Sequence, residues 1–213
     1  MKSDKETKSK LLASAKQEFM EKGYMSASLR NICKNAGVTT GALYFFFKDK
    51  EDVFAALVEE PLNMLYTVMK RHYEEEIKLI KRGQFNKENE DDDTEVGLQI
   101  IHYMYQHYEE FQLVLTRAQG SKFEKCIDDF VEITEKHYRV IADNMSKQLQ
   151  WERIDDYIIH WISHMQIDTF VHMITHETSE EAACAHIKVA IEYLINGWYA
   201  MFGITNQKEM KHE

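Results

Sequence analysis

Five residues within HWISHMQIDTFVHMITH, namely His160, His164, Asp168, His172 and His176, recur at intervals of four. On a helix such neighbours share one face, drifting about 40° per step, and histidines at i and i+4 can hold a metal ion between them. The spacing fixes no third ligand, so no metal ligand is assigned from it. A di-iron carboxylate site in a helical bundle needs two inward Glu-x-x-His pairs. The sole such pair in this chain is Glu209–His212, close to its end. There is no Walker-type glycine loop and no Gly-x-Ser-x-Gly elbow. Cys33, Cys126 and Cys184 are odd in number, far apart and without a Cys-x-x-Cys, which indicates neither a zinc site nor a disulfide framework. The expectation is a protein that is not an enzyme and calls for no cofactor.

A different chemistry lies in AGVTTGALYFFFKDKEDVF, from Ala36 to Phe54. Two glycines and two threonines lead into four consecutive aromatics, and then into Lys-Asp-Lys. The chain carries a net charge of −10, yet residues 1–50 hold ten Lys/Arg against five Asp/Glu. A basic head on an acidic body is the asymmetry expected when only the head meets a polyanion.

The elements that must position these residues are helices. One proline and eight glycines in 213 residues leave few breakers, and 44% hydrophobic residues suffice for a packed core. In TKSKLLASAKQEFMEKG, Leu11, Ala15 and Phe19 recur at i, i+4 and i+8 with Leu12 alongside, and Gly23 is placed as the C-cap, followed by Tyr24. A short second helix follows Ser28, with Leu29 and Ile32 inward and Gly37 breaking it. Thr39 or Thr40 caps a third helix that includes Gly41–Phe46. Helix, a turn of about four residues with a glycine, helix is the spacing of a helix-turn-helix. At about 100° per residue, Leu43, Phe46 and Phe47 fall on the side that can plug a core against Leu12, Phe19 and Ile32. Thr40, Gly41, Tyr44 and Phe45 fall on the other. Gly41 and Ala42 keep the first turn slim enough for a major groove about 12 Å wide.

The stretch SLRNICKNAGVTTGALYFFFKDKEDVFAALV closely resembles the DNA-binding signature of the TetR/AcrR family of bacterial transcriptional regulators, over roughly residues 8–58. The resemblance implies an all-α homodimer, with a small DNA-binding domain joined by a connecting helix to a larger effector-binding and dimerisation domain. In domain terms that is residues 1–50 and 51–213. The first residues of a recognition helix reach base edges, which nominates Thr39, Thr40, Gly41 and Phe45. Ser28, Tyr44 and Lys48 resemble the family's phosphate contacts, and Arg30 points outward towards phosphate or guanine. The chain departs from the family pattern at Phe46, often His or Tyr, and at Cys33, commonly Ala. Phe46 cannot donate a hydrogen bond to phosphate, and Cys33 reads as a small core residue rather than a redox sensor.

The remainder reads as a helical series. Residues 50 to about 79 are apolar-periodic through Pro61, 81–95 reads as a polar loop, and a helix broken near Glu109 follows. Gly120 marks a turn. Long helices are expected over 123–145, 154–176 and 179–202, the last capped by Thr178 or Ser179. An adaptable apolar effector cavity with polar handles is expected from Tyr66, Met69, Tyr103, Met104, His107, Phe111, Phe130, Thr134, His137, Trp161 and Met165. The final pair of helices resembles the family's four-helix dimer interface, supplied by Ile187, Ile191, Leu194, Ile195, Trp198 and Met201. The N-terminus MKSDKETKSK lacks the apolar core of a signal peptide, and no apolar run approaches the roughly 18 residues of a membrane span. The expectation is a cytoplasmic homodimer that binds a double-stranded, palindromic operator, probes no membrane, and is released by a small hydrophobic effector. Two alternatives stand beside it: a metal- or haem-responsive regulator of the same fold, and a helical protein-interaction scaffold.

Overall fold

The computed structural model describes residues 2–82 and 90–204. Nine α-helices and no strand occur among the described residues: α1 (Lys2–Ser26), α2 (Leu29–Ala36), α3 (Thr40–Phe46), α4 (Lys50–Lys81), α5 (Glu90–Gln106), α6 (Tyr108–Thr116), α7 (Cys126–Leu149), α8 (Asp156–His176) and α9 (Glu180–Ala200). The all-α expectation holds. Each boundary has a local cause. Gly23 leaves helical geometry at φ 72°, ψ 163°, so it breaks α1 before the last residues of that helix. Ser179 rather than Thr178 caps α9, accepting from the Ala182 N–H. α4 continues through Pro61, which is buried.

The polar run 81–95 is not all loop. α5 begins at Glu90, while 83–89 lie outside the described residues, as does Glu209–His212. α5 thus starts within the acidic run EDDDTE, and negative charge near a helix N-terminus is stabilising. The break expected near Glu109 falls two residues earlier, at His107.

The chain divides into two compact units, Met1–Thr67 with Met104–Asp129, and Val68–Tyr103 with Phe130–Glu213. Residues 1–50 lie within the first of these units. In the first unit, Phe54 of α4 is fully buried, edge-on to Phe19 at 5.0 Å and to Tyr24 at 5.3 Å, and close to Phe123 at 5.9 Å. The start of α4 is therefore part of the same core as α1. In the second unit, Ile80, Ile141, Ala142, Met145, Ile159 and Phe202 form a buried cluster. No described helix is long and apolar enough to cross a membrane.

Candidate nucleic-acid interface

The helix-turn-helix is held by its own caps. Ser28 opens α2 and accepts from the Asn31 N–H at 3.5 Å. Gly37 closes it in the left-handed region at φ 67°, where its N–H reaches the Cys33 and Lys34 carbonyls. A side chain there would be strained, because a Cβ crowds the backbone at positive φ. Thr39, not Thr40, caps α3, accepting from the Ala42 N–H at 3.2 Å. Thr40 is thereby the first helical residue.

Beneath the helices runs a polar scaffold that composition and periodicity do not reveal. Glu18 of α1 is buried, and its Oε1 accepts from the Ser28 N–H at 3.1 Å and from Asn31 Nδ2 at 3.3 Å. Ser14 donates to the Ile32 carbonyl at 2.9 Å. Lys50 donates to the carbonyls of Tyr24, Met25 and Ala27 at 2.7, 3.1 and 3.3 Å, and its ammonium lies over the Tyr24 ring. It is a C-terminal cap for α1 supplied by α4. Tyr24 donates to Glu51 at 2.9 Å, and burial, with Glu51 adding to it, pushes its phenol up to about 12. Asp49 caps α4 through the Asp52 N–H, and Asp52 in turn accepts from the Lys48 N–H. Glu18→Ala is expected to cost about 1–3 kcal/mol, since it leaves a part-buried N–H unsatisfied. A thermal melt that superimposes on that of the parent chain would show the Glu18 bonds to be dispensable.

α3 is divided as its periodicity predicts, with one adjustment. Leu43 and Phe47 are buried, whereas Tyr44 is 59% and Phe45 75% exposed. Phe46 is only half-buried, wedged edge-on against Phe45 at 4.9 Å. It supports the exposed ring more than it fills the core. Leu11, not Leu12, is the fully buried leucine of α1, and Leu12 and Leu29 are half-buried. Arg30, Thr39, Thr40, Gly41 and Lys48 are exposed and Ser28 is half-buried. All eight predicted DNA-contact residues thus lie in the first unit on accessible or partly accessible positions. Cys33 is buried, and that burial pushes its thiol up, which keeps it protonated and unreactive.

The predicted effector residues are not brought into one unit. Tyr66, Met104, His107 and Phe111 lie in the first, and Met69, Tyr103, Phe130, Thr134, His137, Trp161 and Met165 in the second. Met69, Phe130, Thr134 and His137 are buried there. Trp161 is 53% exposed. Its place on α8 is an outward face, which a single apolar residue in a periodic helix does not declare.

The predicted dimer residues fall in different environments within the single chain. Ile187 and Ile191 are buried within the chain, and Ile191 Cδ1 sits 2.3 Å from where a Cβ on Gly97 would fall. Trp198 and Met201 pack against the Ile80–Phe202 cluster, with the Trp198 indole on Met145 Sδ at 3.2 Å and against Tyr138. Leu194 and Ile195 are half-buried. The apolar groups α9 leaves outside are Val189 and Tyr193, 68% and 67% exposed, with Tyr157 and Trp161 on α8. α9 is apolar on more than one face, and periodicity alone does not say which face closes the subunit.

The histidine series pairs off by itself. His160 meets Glu135 at 2.8 Å and stands edge-on to His164, and His172 stacks on His176 at 4.2 Å.

A capped two-helix motif on a packed three-helix base, with an outward aromatic and hydroxyl face, defines a helix-turn-helix DNA-binding domain. Residues 11–57 match the family model for bacterial regulatory proteins of the tetR family. Over 53 residues it is 43% identical to the HTH-type transcriptional repressor BepR of Brucella suis, and over 54 residues 46% identical to the HTH-type transcriptional regulator AcrR of Shigella flexneri. Each match covers 25% of this chain and spans only 25% of the relative's own length. The fold extends the likeness further. A TetR-family transcriptional regulator from Syntrophomonas wolfei superposes with a TM-score of 0.56 at 19% identity, covering 89% of this chain and 95% of that one. The regulator FadR from Bacillus subtilis, solved with stearoyl-CoA, superposes at 0.52 with 16% identity, covering 88% and 97%.

Proposed function

We propose that this chain is a transcriptional repressor that binds a palindromic operator as a homodimer and releases it on binding a small hydrophobic effector. The observation that carries the reading is the exposure of Tyr44 and Phe45 on a seven-residue helix whose other side is anchored by Leu43 and Phe47. Large aromatics left in water at a surface helix are costly unless a partner covers them. A thymine methyl or a sugar-phosphate edge would do so in a major groove. Thr40, Gly41 and Phe45 read bases, while Ser28, Tyr44, Lys48 and Arg30 hold the backbone. Two recognition helices must engage grooves about 34–36 Å apart, so an effector that changes their separation prevents joint docking.

The dimer face is the exposed apolar stripe of α8 and α9, with Val189, Tyr193, Tyr157 and Trp161 in place of the inward residues first nominated. The effector is expected to contact the buried Met69, Phe130 and Thr134 of the second unit. A scaffold function leaves the basic head without a role.

The test is selection of bound sequences from random DNA, followed by variants. Thr40→Ala and Phe45→Ala should change preference among sequences by about 1–3 kcal/mol at single positions. Lys48→Ala should weaken binding to all sequences by a similar factor. A Lys48→Ala protein with altered preference and undiminished overall affinity would reverse the division between phosphate and base contacts.

A further inference from the structure

The second unit contains a built donor cluster that neither the DNA-binding face nor the dimer stripe uses. His72 and Glu76 are one helical turn apart on α4, and Asp93 comes from α5. His72 Nε2 lies 3.4 Å from Glu76 Oε2 and 3.2 Å from Asp93 Oδ1, and the three donor atoms lie within 4.8 Å of one another. Donors bonded tetrahedrally to one zinc-sized ion at about 2.0–2.2 Å stand about 3.4 Å apart. The two separations from His72 are therefore those of donors sharing one centre, and the two carboxylate oxygens lie within 4.8 Å of each other.

The surroundings are organised in the same sense. His137 of α7 donates from Nε2 to the same Glu76 Oε2, at 2.7 Å. Its Nδ1 is buried without a hydrogen-bond partner in a side chain only 3% exposed. A bare lone pair is tolerated there more readily than a bare N–H, so the proton belongs on Nε2 and the ring is a donor to Glu76. Tyr73 stacks on the imidazole at 3.9 Å, nearly parallel, and its hydroxyl meets Thr134 Oγ1 at 3.1 Å, which fixes that ring. Metal-ligating carboxylates are commonly held in this way by a second hydrogen-bonding group. Electrostatics points the same way. Two carboxylates converge on one imidazole among side chains 13–34% exposed, and a dication is the species that relieves their repulsion.

We propose that His72, Glu76 and Asp93 bind one divalent first-row transition ion of the zinc class, with His137 as the residue that positions Glu76. Imidazole with carboxylates and no thiolate suits Zn2+, Co2+ or Ni2+, whereas Ca2+ and Mg2+ prefer oxygen donors alone. Three protein ligands leave a coordination position for water or a small ligand. The bound ion ties α4, α5 and α7 together at one point within the second unit.

The experiment uses the full chain, stripped with a chelator and titrated without DNA, so its outcome is independent of the repressor reading. Zn2+ is followed by calorimetry and Co2+ by its visible absorption. One ion per chain is expected, and Asp93→Asn and His72→Gln should each weaken Zn2+ binding at least about tenfold. The His160→Ala/His172→Ala double variant should bind as the parent does. Unchanged affinity in Asp93→Asn and His72→Gln, loss of binding in the double variant, or no stoichiometric binding by the parent overturns the proposal. X-ray absorption of the zinc-loaded parent covers the case of a variant that does not fold. One imidazole among oxygen donors supports the site, and two or more imidazoles or a sulfur donor overturns it.

Discussion

Phe54→Ala is expected to cost about 3–5 kcal/mol, the range for removing a fully buried aromatic. The ring has no exposed surface and contacts three other rings, Phe19, Tyr24 and Phe123, drawn from three parts of the first unit. Deleting it removes the shared partner of all three and leaves a void that α1 and α4 cannot close independently, because Lys50 and Glu51 already tie them at that end. With domain stabilities of about 5–15 kcal/mol, the loss is a large fraction of the total. The thermal midpoint should fall by about 6–20 °C for a chain of this size. Phe54→Leu keeps most of the volume and should cost less. Circular dichroism melts of both variants check the order, and an alanine variant that melts within a degree or so of the parent would remove Phe54 from the core that supports the recognition helix.

The second large effect is on assembly. Tyr193→Glu puts a charge in place of one of the two large apolar side chains that α9 leaves exposed, where the proposed seam would bury it. An unpaired charge buried at an interface costs about 3–5 kcal/mol, which corresponds to a loss of between about 150- and 5,000-fold in dimer affinity. Each half of the proposed palindromic operator would then be met by a separate chain, and binding would lose the advantage of linkage. Because Tyr193 is already 67% exposed in the single chain, the substitution should leave the subunit folded. Sedimentation at micromolar concentration and an operator titration read the two consequences. A dimeric Tyr193→Glu protein with parental operator affinity would place the seam elsewhere. Ile187→Glu offers the contrast, since it should unfold the subunit rather than separate two intact ones.

The helix-turn-helix could be read from sequence almost to the residue because its determinants are local. Gly37 needs positive φ, Thr39 has a hydroxyl three residues before the N–H it caps, and Leu43 and Phe47 lie one turn apart. What sequence left open depended on partners distant along the chain. Glu18 looks like a surface acid until α2 brings the Ser28 N–H to it. Ile187 and Val189 are both apolar residues of one helix, and only the packing of Gly97 and Ile191 shows which face is inside. The acid-rich start of α5 resembles a loop by composition, although negative charge at a helix N-terminus is stabilising. The i, i+4 histidines of α8 carry the metal-like spacing in the sequence, whereas the converging donors come from two helices and include just one histidine. The i, i+4 pair His72–Glu76 was a visible signal, but Asp93 has no fixed spacing from it.

The Lys50 cap carries a consequence for ionic strength. Residues 1–50 contain ten cationic side chains. Lys50 is spent on three backbone carbonyls, Lys16 on Glu109 and Glu110 at 2.8 and 2.7 Å, and Lys10 on Glu6 at 2.9 Å. Ten less three leaves at most seven per subunit to displace counterions from DNA. Each neutralised phosphate contributes about −0.9 to the slope of log affinity against log salt. The slope for one subunit is then bounded near about −6, against about −9 if every cation in the head were free. Affinity should therefore persist into salt concentrations that a charge count would call prohibitive. In that regime, contacts from Thr40 and Phe45, which release no ions, decide where the protein sits.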